Sequence, residues 1–374
     1  MRLLVECVRA RETLDGRRTE ELLAETSPAT VLEAAAYHAV DGLAYRHLRD
    51  LAAAPAQLVE ALRQRHDAAV RHHLGIMFEL ARLGPVLDES GARWAVVKGP
   101  IVAELLYEAP GQRSYGDLDV IVEPAGFGRA IASLEAHGSR VLDRNWKVMR
   151  RDLLGELHLE LPGGSLLDLH WNLVNMYRGR IRVDTSAMLD RAEVVDLGGV
   201  RAPTLDPTDS LIHLALHGTL SGGDRLLWMS DIARATWRRP PGWGELVRRA
   251  RTWHVAAPVG FMLARSRVVA GADVPGDVPR RLLGRSYGAL MRLVDRVSPW
   301  EGAGGRLTAP GLVLSRSMGF GLAGAARWFV VRAIRSLDPR EPEASSTFTP
   351  RGDRGDYEAF IRAVVGSSTR ITKG

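Results

Sequence analysis

Two aspartates, Asp117 and Asp119, stand two residues apart in the run Tyr-Gly-Asp-Leu-Asp-Val-Ile-Val, residues 115–122. The run ends in β-favouring residues, and a strand repeats every two residues, so both carboxylates project from one face. Spaced ~7 Å apart along the strand, they can share one or two divalent cations. Mg²⁺ held this way takes few protein ligands and keeps the rest of its shell for water and phosphate. The same octapeptide also reads as a strand leaving a turn, with two solvated aspartates before its buried end. The neighbouring stretches favour the first reading.

Upstream, Lys98-Gly99 follows a short β-rich run, residues 94–97, and opens a helix with Pro100 in its first turn, where proline is tolerated. A glycine at that junction lets the backbone approach a phosphate, and a helix N-terminus offers free N–H groups. Lys98 can neutralise a triphosphate oxygen. Arg113, four residues before Asp117, can contact a phosphate or pair with Asp117. Downstream, Leu-Leu-Asp-Leu-His-Trp, residues 166–171, alternates. Asp168 and His170 share one face, and Leu167, Leu169 and Trp171 share the other. If this strand lies beside the Asp strand, Asp168 becomes a third carboxylate. It can complete a metal's coordination or accept the proton of an attacking hydroxyl. Glu156, His158 and Glu160 also share a face, so Glu156 and Glu160 compete for the third role; Asp168 is preferred.

The elements that must position these residues form an α+β pattern. Residues 1–88 read as an N-terminal helical region, with Thr30 as a candidate cap and a long periodic run over 58–83 that Gly84 and Pro85 close. His66, His72 and His73 fall in that run and read as exposed or half-buried helix residues rather than a metal site. Residues 89–203 read as a small α/β core. Its candidate strands are 94–97, 117–122, 141–142, 147–149, 156–161 and 166–171, with a helix over 124–138 and a hairpin turn at Pro162-Gly163-Gly164-Ser165. Helical periodicity returns at Asp206 and runs to 337 as a C-terminal helical domain. His213 and His217 lie four apart on one face there and read as a packed or hydrogen-bonded pair. Asp231 reads as a cap or ion-pair partner within the bundle. The tail, 338–374, is rich in Pro, Ser, Arg and Glu and is expected to be largely flexible, apart from a short docking helix over 357–365.

Taken in order, Lys98-Gly99, Arg113-x-x-Gly-Asp117-Leu-Asp119-Val-Ile-Val and Asp168-Leu-His-Trp171 resemble an uncharacterised nucleotidyltransferase-like family within the polymerase-β superfamily. Residues 205–217 and 226–231 are similar to the helical portion of that family, and the resemblance runs from about 93 to 236. It implies a small mixed sheet with helices, flanked by helical regions. It also implies Mg²⁺ or Mn²⁺ held by Asp117, Asp119 and Asp168, an NTP donor such as ATP bound near Lys98, Gly99 and Arg113, and release of pyrophosphate. The wider superfamily carries Gly-Ser on the helix after its first strand; here Lys98-Gly99 stands in that place, and the gap to the first Asp is longer. The expected mechanism moves a nucleoside monophosphate onto a hydroxyl or phosphate acceptor, with two metals ~3.5–4 Å apart clamping the attacking and leaving oxygens. The acceptor is open among a small metabolite, a peptide and RNA.

Composition narrows the class. The chain has 374 residues, a net charge of +6 and a pI near 9.8, which suits an anionic partner without identifying one. Nearly all its cationic side chains are Arg, with Lys only at 98, 147 and 373. Cys7 is the single cysteine, which excludes a disulfide framework and a Cys-based zinc site. No signal-like N-terminus and no uncharged apolar stretch of spanning length are present, so a cytoplasmic location is expected. A segment at 312–334, apolar and Gly-rich with three arginines, reads as a closing helix of the bundle rather than a membrane-surface helix. Two rival functions remain: a toxin-like transferase that modifies RNA such as tRNA, and an inactive nucleotide-binding scaffold.

Overall fold

A computed structural model describes residues 1–9, 16–153, 155–174, 181–284 and 346–369, with single positions at 289, 292 and 296. The segment at 312–334 and most of the stretch expected to be helical beyond 284 lie outside the described residues.

Five helices come first: α1 (Arg2–Arg9), α2 (Gly16–Ala24), α3 (Pro28–His38), α4 (Asp41–Leu48) and α5 (Ala56–Glu89). Ser27, not Thr30, caps α3: its hydroxyl accepts from the Thr30 amide at 3.2 Å, and Pro28 fills the first turn. The long helix α5 does not stop at Gly84-Pro85. It runs 34 residues with Pro85 inside it. Leu80, Leu83 and Leu87 are buried on both sides of the proline, and that packing carries the helix through the lost hydrogen bond.

The α/β portion follows as β1 (Trp94–Val96), α6 (Pro100–Leu106), β2 (Leu118–Val122), α7 (Phe127–Ala136), β3 (Arg140–Val141), α8 (Trp146–Asp152), β4 (Glu156–Glu160) and β5 (Leu166–His170). Residues 147–149, expected as a strand, lie in α8. Asn145 begins that helix by accepting from the Val148 amide at 3.3 Å, a local bond that an extended chain does not offer. After α9 (Thr185–Leu189) comes a hairpin, β6 (Glu193–Leu197) and β7 (Val200–Thr204), absent from the expected strands. Gly198 and Gly199 form its two-residue turn at φ 62° and 95°, a conformation that favours glycine.

The sheet is mixed and seven-stranded, in the order β3-β4-β5-β2-β1-β7-β6. The β2–β5 and β1–β7 pairs are parallel and the others antiparallel. Beyond it lie α10 (Pro207–Leu220), α11 (Leu226–Arg238), α12 (Trp243–Thr252), α13 (Ala256–Val269), α14 (Val278–Leu283) and α15 (Arg354–Thr369). The docking helix expected over 357–365 is therefore present and longer at both ends.

Two hydrophobic clusters meet at the sheet. Leu118, Val120 and Val122 of β2 and Leu167, Leu169 and Trp171 at β5 belong to a cluster with the second half of α5, with α7 and with α15. Ile121 of β2 faces the other way. It joins a cluster shared by the N-terminal helices and α10–α14. Among the described residues, no helix is long and apolar enough to cross a membrane. Phe360 of α15 is fully buried against Trp171 and Trp146, with ring centroids at 5.5 and 5.7 Å. Phe360→Ala should lower stability by ~3–5 kcal/mol, read as a shift of the urea midpoint at constant m-value.

Candidate metal and nucleotide site

The period of the strands sorts apolar residues to one face and acids to the other. On β2, Asp119 shares the face of Ile121. On β5, Asp168 and His170 share it, and the parallel register puts Asp119 directly opposite Asp168. On β4, Glu156 and His158 pair with His170 and Asp168. Asp168 is on the strand beside Asp119, Glu156 is one strand further out, and Glu160 is paired with Arg140 at the sheet's edge. One ligand atom from each of Asp119, Asp168 and His170 fits within 4.8 Å of the others. Asp117 lies at the entry to β2, one residue before the strand begins.

Asp119 is 1% exposed. Lys98 Nζ lies 2.7 Å from its Oδ1, and His170 Nε2 lies 3.0 Å from the same atom. Because an ionised carboxylate only accepts, both nitrogens donate. Burial works against the charge on Asp119, yet Lys98 and His170 together hold its pKa far below the usual carboxylate range. Burial also opposes the Lys98 ammonium, but the fields of Asp119, Asp117 and Asp168 outweigh it and raise its pKa. The other two acids go the opposite way. Burial, then the charge of Asp119, pushes Asp168 up to about 6. The same two causes raise Asp117. The three neighbouring carboxyls are thus driven apart, Asp119 far down and Asp117 and Asp168 up.

Histidines that the sequence did not mark as functional surround this trio. His170 Nδ1 lies 3.4 Å from Glu156 Oε2 without an aligned hydrogen bond. His158 is oriented by Asp143, which is 1% exposed and takes both the His158 amide and its Nδ1–H at 2.7 Å. That bond holds His158 up to about 9, with Nε2 3.8 Å from Asp168. His213 and His217 pack as expected, with rings stacked at 6.3 Å. His213 is 3% exposed, has no hydrogen-bond partner on either nitrogen among the described residues, and lies within the field of Lys98, Asp119 and His170. Burial, then Lys98, pushes it down to about 3. Alternation on β4 and β5 could have flagged His158 and His170; no local signal marks Asp143.

The loop that delivers Asp117 is tied down at both ends. Arg113, expected to contact a phosphate or to pair with Asp117, instead makes a buried bidentate pair with Asp231 of α11, at 3.0 and 2.9 Å. Two of its nitrogens are engaged there, and Nη1 points to the Gly99 carbonyl at 3.5 Å. Tyr107 donates to the same Asp231 at 2.7 Å. At the other end, Tyr115 bonds His73 Nδ1 at 2.8 Å, and His73 Nε2 bonds Glu104 at 2.7 Å. His73 is therefore buried, not exposed: it bridges α5 to this loop. Gly99 sits at φ 55°, and a Cβ there would lie 3.1 Å from the Asp117 carbonyl and 3.4 Å from the Tyr115 ring. The contact that demands glycine is thus to the protein itself.

A family model described as "uncharacterised nucleotidyltransferase" matches residues 24–271, well over half of the chain. No curated protein matches it.

The buried Arg113–Asp231 pair leads to a testable outcome. Arg113→Ala or Asp231→Ala alone leaves an uncompensated buried charge and should cost ~3–5 kcal/mol. The double variant Arg113→Met/Asp231→Leu should lose clearly less than the two single costs added, in urea denaturation of all variants.

Proposed function

The chain belongs to this uncharacterised nucleotidyltransferase family, whose activity is transfer of phosphorus-containing groups, and from that premise we propose a Mg²⁺-dependent transfer of a nucleoside monophosphate. The donor is an NTP, with ATP as the first to test, and the acceptor is a hydroxyl or phosphate. The observation that carries the reading is Asp119 directly opposite Asp168 on adjoining parallel strands, with Lys98 2.7 Å from Asp119 and Asp117 two residues before it. Hard carboxylate oxygens suit Mg²⁺ or Mn²⁺. Asp119 Oδ2, Asp117 and Asp168 would hold the ion, with His170 orienting Asp119 through Nε2. A divalent cation there supplies positive charge to the α-phosphate and the departing pyrophosphate.

In this reading the chain's own groups do the rest. Lys98 faces the triphosphate and offsets its charge. Asp168 accepts the acceptor's proton as the new O–P bond forms and the bond to the β-phosphate breaks, freeing pyrophosphate. Arg113 acts through position: its pair with Asp231 holds the Lys98-Gly99 turn against Asp117. An inactive scaffold has no need for a buried Asp119 held by two cationic donors beside a second carboxylate on the adjoining strand, which favours the enzymatic reading over that rival. A cytoplasmic location, where nucleoside triphosphates are abundant, goes with this function.

Incubation with each labelled NTP and Mg²⁺, followed by mass spectrometry of protein, RNA and metabolites, should reveal a mononucleotide adduct. Asp168→Asn should abolish it while changing the metal-free melt little, since an amide keeps the carboxyl's shape and burial already works against a charge there. Asp119→Asn should also abolish it, but with a loss of stability, because Lys98 and His170 are then left facing a neutral group. Full activity in either variant contradicts the assignment.

Metal binding should also respond to pH. Asp168 is raised to about 6, so at lower pH a proton occupies its carboxyl and the ion must displace it. Mn²⁺ affinity should therefore fall as pH drops through 6, by up to ~tenfold per pH unit for one proton displaced. Titration calorimetry in buffers of different ionisation enthalpy measures that proton. A pH-independent affinity between 5 and 7 contradicts a raised Asp168 among the metal ligands.

A further inference from the structure

Asp119 carries two donors on a single oxygen. Lys98 Nζ at 2.7 Å and His170 Nε2 at 3.0 Å both address Oδ1. A carboxylate oxygen has two lone pairs, so Oδ1 is filled and only Oδ2 remains for a metal. Asp119 cannot readily turn to change this. It is 1% exposed, on a strand paired on both sides.

Lys98 is equally fixed at its backbone. The Val97 amide donates to the Asp119 carbonyl at 3.1 Å, and Gly99 lies against the Asp117 carbonyl. Arg113 reaches the Gly99 carbonyl from its buried pair with Asp231. The Lys98 side chain is 14% exposed and feels the charges of Asp117, Asp119 and Asp168 together.

We propose that this site takes a single divalent cation and that the Lys98 ammonium occupies the place of a second. The proposal rests on the nucleotidyl-transfer reading and replaces its expected pair of metals. The ammonium bonds Asp119 with one N–H and has two more to offer. Those can meet non-bridging oxygens of the triphosphate, as a second metal would.

The test counts metal directly. The full chain is saturated with the non-hydrolysable α,β-methylene analogue of ATP, and Mn²⁺ is added in place of Mg²⁺. Equilibrium dialysis counts bound ions against an analogue-only compartment, and EPR distinguishes an isolated ion from an exchange-coupled pair. The wild type should bind about one Mn²⁺ per chain with an uncoupled spectrum, where a two-metal site binds about two ~3.5–4 Å apart. Lys98→Met should rise to about two with a coupled spectrum, and Lys98→Arg, which keeps the charge, should stay near one. A coupled pair in the wild type overturns the proposal and leaves the nucleotidyl-transfer reading standing. A Lys98→Met variant that folds and still binds a single ion overturns it as well. Binding that Asp119→Asn does not reduce overturns the nucleotidyl-transfer site itself, and the proposal with it.

Discussion

One buried carboxylate governs this architecture. Asp119 must remain charged with almost no access to water, and leaving such a group uncompensated costs several kcal/mol. Compensation arrives from two directions: Lys98 from the end of β1 and His170 from β5. Neither can reach Asp119 unless β2 lies between β1 and β5, which is the order at the centre of the sheet. The strand order and the ionisation of Asp119 are therefore a single requirement seen at two scales.

The same alternation that builds the hydrophobic core builds the acidic face. Every second residue of β2, β4 and β5 goes to the cluster beneath α5, α7 and α15. The residues between them, Asp119, Asp168, His170, Glu156 and His158, are then forced onto the other side. Within that face the environments diverge. Asp119 has Lys98 and His170 on one oxygen and is held far down, while burial and then the charge of Asp119 push Asp117 and Asp168 up. Groups of one chemical type pushed to different protonation states are the usual mark of a site prepared for a charged ligand.

How far the sequence disclosed this depended on the range of each interaction. The shared face of Asp168 and His170, the Pro162–Ser165 turn and the return of helical periodicity at Asp206 are local, and the residues spell them out. The α+β class follows from the same periodicities. The partner of Arg113 did not emerge, because Asp231 is 118 residues away and nothing near either residue marks the other. Nor did the role of His73, whose partners Tyr115 and Glu104 lie on other elements. Residues 147–149 misled because a short apolar run has no period of its own, and the Asn145 cap decided the outcome. Pro85 misled in the opposite sense: tertiary burial on both sides of it outweighed the local penalty.

The buried Arg113–Asp231 pair makes a poor case as a source of stability, since packed apolar side chains can fill such a space at least as well. Its geometry suggests a different reason for its presence. A guanidinium that meets a carboxylate through two parallel bonds fixes direction as well as distance, which an apolar contact does not. Here that direction orients the Gly99 carbonyl and, through it, the turn that places Lys98. The Tyr115–His73–Glu104 chain does the same at the other end of the loop. One tie is anchored in α5, before the sheet, and the other in α11, after it. The helices flanking the sheet are thus part of what sets the distance between Lys98 and Asp119, and a substitution at either tie acts on the site without touching it.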